Sequence, residues 1–523
     1  MILRKTKNVS QATRENSKMM KHIIVIVLTT TLISCSTTSN ETIAAEPKYK
    51  ADVPANLITP DSVNTTLLGE LTFSDGMPSE QTVRKSYDFL DTTRATQAFL
   101  KGLPAVSIHS MLEGLKQGGA QPGDLMLWDN LMDARSLLLS PNTTTPYAFA
   151  EINLKDGPMV LKLPPRLLGA VDNAYFLHIS DVGITGPDKG KGGQYLFIGP
   201  DYKGDIPGGY HVVYSKTYRH WLFMRTFFKN NNIAESIRGL KEHFQLYPLA
   251  RADNPPKQNI INASGKKINT IHPNNIEFFD ELNAVVQYEP ANAFKPEHVG
   301  LFASIGIKKG QKYSPDVRMK KILTDAAAIA NATARSITFQ PRSEHVYFYP
   351  GQRRWYSPLA GGSSSFMKGD ALMLDDRIMF HYYATGITPA MAIRIIGKGS
   401  AYALTAHDAQ GKYLDGSKTY SVTLPSGIPA KDFWSLMVYD NQTRSILETN
   451  QKAGGIDGNA KNLQTNDDGS VTIYFGPLAP IGNENNWVQT MPNKGFNVLL
   501  RLYGPLESWF DKTWMPGDFE LSK

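Results

Sequence analysis

The 523-residue sequence predicts a mainly β protein with helices, built as two antiparallel β-sandwich modules joined by a helical segment. Three observations predict this. Short apolar strands divided by Gly, Pro, Asn and Asp run from Leu137 to Ser215 and again from Met391 to Leu502. No helix of about 10–15 residues separates consecutive members of either series, which is the spacing of antiparallel sandwiches rather than of βαβ units. Between the two series stands a strong helix start after Ser314. At 41% hydrophobic and 20% charged residues, the composition suffices for two cores of ordinary domain size.

Taken in order, the chain first shows a leader. Lys21 and His22 precede an apolar run from Ile23 to Ile33. Spanning a bilayer takes about 20 residues, so this run is too short for an anchor and has the length of a secretory signal core. Met19 and Met20 each give that signal a well-formed start, so the residues before them read as an over-extended N-terminus. The run ends in Leu32-Ile33-Ser34-Cys35, which resembles a bacterial lipoprotein box, and Cys35 is the only cysteine of the chain. One cysteine forms no internal disulfide, so lipid attachment at Cys35 is the expected role. Several acyl chains together hold a protein on a membrane where one does not. In lipoproteins a serine at the next position, here Ser36, points to the outer membrane. The expected location is the bacterial cell envelope, with the membrane as a partner. Ser36 to Lys50 is polar and lacks apolar periodicity, the composition of a flexible tether.

Apolar spacing then predicts two helices, Ser79 to Lys101 and Ala105 to Lys116, separated by a stop at Gly102-Leu103-Pro104. Strands follow over Pro158–Leu163, Ala174–Ser180, Gln194–Ile198 and His211–Ser215, with a closing helix over Ser236–Phe244. In Ser314-Pro315-Asp316 the serine is the expected N-cap and the proline the first helical residue. Met319, Ile322, Leu323, Ala326, Ile329, Ala330 and Ala334 give that helix one apolar stripe, suited to packing across or between the β modules. The second strand series is Met391–Ile396, Tyr420–Leu424, Phe433–Tyr439, Val471–Phe475 and Phe496–Leu502, with turn residues at Asp440-Asn441, Asn466 to Gly469 and Pro492 to Gly495. The expected division is a leader over 1–35, a tether over 36–78, helices plus a sandwich over 79–250, a helical linker over 251–370 and a second sandwich over 371–523.

Charge excludes one class of partner. The formal net charge is +7, but the first 34 residues hold six Lys or Arg against Glu15 alone, a net of +5, which leaves +2 for the rest. A nucleic-acid binder needs a dense basic face, so no nucleic-acid partner is expected.

Four stretches carry a family resemblance: Asp181 to Gly193, Lys321 to Arg335, Ala430 to Ser445, and Leu500 to Trp514. In these the chain resembles a bacterial two-module family of paired domains of unknown function, number 1254 at the N-terminal side and number 1214 at the C-terminal side. The likeness extends from about Ser79 to Glu520. It implies jelly-roll-like sandwiches and no particular chemistry. The chain departs from the family pattern at Lys452 to Lys461, a Gly-rich segment where relatives carry a short Phe-Pro stretch.

Several groups could act on a ligand. The loop Gly186 to Gly193 has four glycines with Lys189 and Lys191, which could converge on an anion or simply form a tight connection with solvated lysines. It is not a P-loop, because Lys191 is followed by Gly-Gly and a strand. Asn142, Thr145 and Tyr147, which match the family-like pattern, offer hydroxyls and an amide for a polar ligand, or a turn. Asp181, Arg377, Tyr382 and Tyr383, with Asp376, could share a pocket as acid–base groups. Asn441, Arg444 and Trp487, among other aromatic and amide residues of the second module that include Trp434, Asn485, Asn486 and Arg501, suit a sugar ring or polar head, or a sandwich core. No HExxH or His-x-His pair is present and no thiol follows Cys35, so neither a metal site nor a cofactor is expected. Three roles stay open: a binder of a polar small molecule or glycan, an enzyme such as a hydrolase or lyase on a polar or carbohydrate-like substrate, and a structural envelope protein. A homo-oligomer is compatible with each.

Overall fold

The computed structural model describes residues 48–228, 232–359, 362–392 and 394–522. The leader, Cys35 and the first part of the tether lie outside the described residues. Contacts divide the chain at Pro60; before that point the described residues hold one 3₁₀ turn, Ala55–Leu57. The remaining elements belong to the unit from Asp61 onward.

That unit begins with a small antiparallel sheet of Ser62–Thr65, Gly69–Ser74 and Met77–Pro78. The sequence then predicts two helices, and the structure has one: α1, Glu80–Gln117, runs straight through Pro104. Ser79 caps it, its side chain accepting from the Thr82 amide. A proline inside an exposed helix costs roughly 3 kcal/mol. Here burial outweighs it, since nearly every residue from Ala98 to Leu115 is buried. Phe99 stacks on Phe278 with centroids 3.8 Å apart, and the Tyr175 hydroxyl donates to the Lys101 carbonyl at 2.9 Å.

The N-terminal module is a two-sheet sandwich. Its inner sheet has six strands in the order Ile260–Asn262, Leu125–Leu127, Tyr147–Asn153, Arg219–Thr226, Leu167–Asn173 and His178–Gly183. The outer sheet has four, His211–Tyr214, Gly193–Ile198, Met159–Leu163 and Gln245–Pro248. Helix α2, Ile233–His243, closes it. The sequence predicts a strand over Ala174–Ser180, but a turn occupies Ala174 to Leu177. The Asn173 carboxamide oxygen accepts from the Tyr175 and Leu177 amides, and Phe176 takes a positive φ of 57°.

Helices α3 (Glu277–Tyr288), α4 (Pro296–Ser304) and α5 (Val317–Phe339) pack with α1 and with α6 (Leu374–Tyr383) into a helical layer. The cap of α5 is Asp316 rather than Ser314: its carboxylate accepts from the Met319 amide at 2.7 Å, which leaves Pro315 before the helix. Ile322, Leu323, Ala326, Ala330 and Ala334 are buried as their stripe predicts, while Ile329 is exposed.

The C-terminal module is a second sandwich. Its inner sheet runs Ser400–Thr405, Phe496–Pro505, Ala430–Asp440, Gly455–Asp457, and its outer sheet Trp487–Gln489, Val471–Gly476, Tyr420–Leu424, Glu520–Leu521. The strand predicted over Met391–Ile396 is absent among the described residues. A short helix, α7 (Pro389–Ala392), stands there, started by the Thr388 hydroxyl that accepts from the Ala390 amide, and Ile395 and Ile396 are exposed. The Gly-rich departure at Lys452 to Lys461 supplies the edge strand Gly455–Asp457, where a Cβ on Gly455 would stand 2.4 Å from the Leu436 carbonyl.

The sheets are not purely antiparallel. Gly193–Ile198 with His211–Tyr214, Leu125–Leu127 with Ile260–Asn262, and Val471–Gly476 with Trp487–Gln489 pair in parallel. Both inner sheets are buried on both faces. Leu222 and Met224 face their own sandwich while Trp221 joins the helical layer; Leu436 and Val438 face the second sandwich while Met437 and Tyr439 join that same layer.

Candidate functional site

Side chains alternate along a strand, so register decides which of them share a face. In the N-terminal inner sheet Tyr147 pairs with Arg225, Phe149 with Phe223 and Glu151 with Trp221, placing these side chains on the face toward the helices. In the C-terminal inner sheet Tyr402 pairs with Arg501. Between these two surfaces lies a cavity of about 310 Å³, lined by Tyr147, Phe149, Trp221, Phe223 and Arg225 of the first module and by Tyr402, Leu499 and Arg501 of the second. The connection from α6 to α7 closes it with Tyr383 to Gly386, Thr388 and Met391. Trp221 stacks on Phe223 at 4.7 Å and meets the edge of Phe149 at 5.1 Å, giving the cavity an aromatic wall.

That connection is held closely against the wall. Gly386 has a φ of 78°, and a Cβ there would stand 3.0 Å from the Phe223 ring. The next amide, Ile387, donates to the Asp172 carboxyl at 3.0 Å. Asp172 is fully buried, and its other oxygen has no hydrogen-bond partner among the described residues. Burial drives this carboxyl well above its ordinary range, the Ile387 amide opposing and the nearby Asp181 charge assisting.

The turn at Asn142 builds one polar corner. The Asn142 carboxamide oxygen accepts from the Thr144 and Thr145 amides at 3.0 and 2.9 Å and from the Thr145 hydroxyl at 3.0 Å. Its Nδ2 and its backbone amide donate to the Tyr147 hydroxyl oxygen at 2.7 and 3.2 Å. Asn142 thereby fixes the Tyr147 hydroxyl, and Thr145 in turn braces Asn142. Arg501 is the other polar corner. Its Nη2 donates to the Ser140 and Pro141 carbonyls at 2.8 and 3.2 Å, and its Nη1 is buried without a partner among the described residues.

The remaining sequence-predicted residues are distributed elsewhere. Of Asp181, Arg377, Tyr382 and Tyr383, only Tyr383 lines the cavity, and its hydroxyl donates to Asn497 at 2.7 Å. Tyr382 donates to Asn331 at 2.6 Å. Asp181 sits 3.3 Å from His178 on an edge strand, Asp376 lies 3.0 Å from His345, and Arg377 lies 5.8 Å from the Tyr175 ring. The structure does not bring these groups together.

In the loop Gly186 to Gly193 the amides are bonded within the loop and to the preceding strand. The Asp188 carboxylate accepts from the Gly183 and Gly192 amides at 2.8 and 3.1 Å and from the Tyr195 hydroxyl, while Lys189 and Lys191 are exposed. Arg444 is fully buried. It stacks 4.1 Å from the Tyr382 ring and donates to the Tyr382 and Gln442 carbonyls, the Tyr382 hydroxyl and His272. Asn441 accepts from Asn497 at 2.8 Å in the adjoining turn. Trp487 lies half-buried on the outer sheet, its indole donating to the Gly476 carbonyl at 2.9 Å. None of Arg444, Asn441 or Trp487 lines the cavity.

Trp221, Tyr402, Arg225 and the role of Arg501 escape sequence reasoning. For Arg501 a signal exists: it is a charge inside the apolar strand run Val498 to Leu502. Among the described residues no group of three His, Cys, Asp or Glu could hold a metal ion, and no helix is long and apolar enough to cross a membrane.

No curated protein matches the chain. The crystal structure of the VPA0106 protein from Vibrio parahaemolyticus is similar at 16% identity and a TM-score of 0.51, covering 83% of this chain and 100% of that one, which shows a common fold. An uncharacterised protein from Burkholderia cenocepacia aligns at 10% identity and a TM-score of 0.38, over 84% of this chain and 96% of that one. Residues 122–248 match the family described as protein of unknown function DUF1254, and residues 399–507 match protein of unknown function DUF1214. The matched ranges fall on the two sandwiches in the expected order, and the chain therefore carries a DUF1254 domain followed by a DUF1214 domain.

Proposed function

We propose that this protein is an envelope-attached lipoprotein that binds a polar small molecule between its two sandwich modules. One observation carries the reading: a single cavity of about 310 Å³ takes its walls from both modules and from their connection. An aromatic wall with a few placed polar groups is the usual make-up of a ligand site. Among the described residues that line it, none is Asp or Glu, which favours binding over carboxylate-driven hydrolysis. The lipoprotein-like box at Cys35 and the polar stretch after it support attachment to the outer membrane.

One preparation tests both halves. In cell fractionation the Cys35→Ser protein is expected in the soluble periplasmic fraction, and unchanged membrane fractionation contradicts the anchor. Native mass spectrometry of that soluble protein is expected to show a non-covalent adduct that is lost when Met391→Trp fills the cavity. An adduct indifferent to Met391→Trp, or a clean polypeptide mass in both, contradicts the cavity reading.

A further inference from the structure

Two of the polar groups that line the cavity, Tyr147 and Arg501, have hydrogens without an acceptor among the described residues. The Tyr147 oxygen already accepts two N–H bonds from Asn142, and its own proton has no acceptor among the described residues. What Tyr147 offers to the cavity is therefore a hydrogen to give. Arg501 is charged at every physiological pH, is 4% exposed, and makes no ion pair among the described residues. Its guanidinium stands 5.9 and 5.7 Å from the Tyr402 and Tyr439 rings, which stabilises the charge and leaves the Nη1 hydrogens unmatched. A buried charged donor without an acceptor is costly, and an anion is the group that relieves it.

The surrounding charge has the same sign. Arg225 and Lys398 also line the cavity. A second chamber of about 180 Å³ shares Met391, Lys398 and Tyr402 with the first and adds Arg394 and Lys512. Across both chambers the described lining holds five Lys or Arg and no Asp or Glu, and none of the five is in an ion pair among the described residues. This concentration occurs in a chain whose net charge beyond residue 34 is only +2. Unpaired cations around an apolar-walled cleft raise the local concentration of an anionic ligand.

We infer that the cavity takes a small organic carboxylate on a flat apolar body, the carboxylate held by Arg501 and Tyr147 and the body lying along Phe149, Trp221 and Phe223. The inference rests on the proposal that this cavity is a ligand site. The two oxygens of a carboxylate match the Arg501 guanidinium, which borders the cavity, and the Tyr147 hydroxyl, and charge-assisted hydrogen bonds are the strong kind.

Calorimetric titration of the full-length protein with 2-naphthoate and with its neutral isostere 2-naphthamide tests it. One 2-naphthoate per chain is expected, with 2-naphthamide about tenfold weaker or more. Arg501→Met is expected to weaken 2-naphthoate by about tenfold or more and to remove its advantage over the amide. Equal binding of the two compounds to the wild type, unchanged by Arg501→Met, overturns the inference and leaves the cavity reading standing. Binding of neither compound also overturns the inference, and the adduct measurement with Met391→Trp decides the cavity reading separately. The wild-type comparison needs no variant, so the test survives if Arg501→Met fails to fold; Tyr147→Phe, expected to weaken 2-naphthoate several-fold, then probes the second donor.

Discussion

Arg444 and Arg501 are both buried guanidinium groups of the C-terminal module, 0% and 4% exposed, and their surroundings differ in kind. Arg444 ties the end of α6 to the turn after Asp440: it reaches two carbonyls, a hydroxyl and His272, with the Tyr382 ring across its face. His272, lowered to about 3 by burial and then by the Arg444 charge, is neutral and can accept. Burial lowers Arg444 itself to about 10, so it keeps its charge at neutral pH. Arg501 fills only one end of its fork and leaves Nη1 unmatched beside a cavity. The two arginines differ, then, in how fully their donors are met and in whether they border a cavity.

The largest expected effect breaks the saturated member of that pair. Arg444→Met leaves the Tyr382 and Gln442 carbonyls without their donor and is expected to cost about 3 kcal/mol or more in urea denaturation. Arg501→Met removes a buried charge whose bonds are fewer and is expected to cost under about 1 kcal/mol or to stabilise. Equal losses would erase the distinction between the two arginines.

A smaller effect sharpens the comparison on the other side of the cavity, where Asp172 holds the connection through Ile387. Its folded carboxyl titrates well above the ordinary 3.8. The folded state then keeps a proton that the unfolded state has released, so this contribution to stability is complete below about pH 4 and falls as pH rises. Asp172→Asn abolishes that loss. The variant should gain on the wild type by up to about 1.4 kcal/mol per pH unit from pH 4 upward, until the folded carboxyl ionises. A stability difference independent of pH between 4 and 7 would show that Asp172 is ionised in the folded protein.

Much of the fold is legible from local pattern. Tyr420–Leu424 is found as predicted, Val471–Phe475 and Phe496–Leu502 are found within one to three residues, and the α5 stripe is buried except for the half-buried Met319 and the exposed Ile329. What local pattern misses is decided by distant contacts. Pro104 stays helical because Phe278 and Leu282 pack against that part of α1, where a Cβ on Gly102 would stand 3.2 Å from Leu282. The Asn173 side chain converts a predicted strand into a turn.

The site is less legible for a related reason. Asn142, Thr145 and Tyr147 are visible as a polar turn, but only the structure shows that the first two orient the third. Tyr382 and Tyr383 look alike in sequence, yet one ring packs under Arg444 and the other borders the cavity. A glycine-rich loop with two lysines suggests an anion site until its amides are seen to be taken from within, Gly192 by the Asp188 carboxylate and Gly186, Lys189, Gly190 and Lys191 by backbone carbonyls. Arg501 acquires its significance from Ser140, Pro141 and Tyr147, more than 350 positions away in the chain, which no local spacing encodes.

The central claim is that the unmet donors of Arg501 and Tyr147 face a ligand held by both modules. A crystal structure of the protein with 2-naphthoate tests it most directly. The account predicts the carboxylate within hydrogen-bond distance of Arg501 and Tyr147 and the ring system against Trp221 and Phe223. A cavity left without 2-naphthoate, or 2-naphthoate lying in it with its carboxylate turned away from Arg501, would contradict the account.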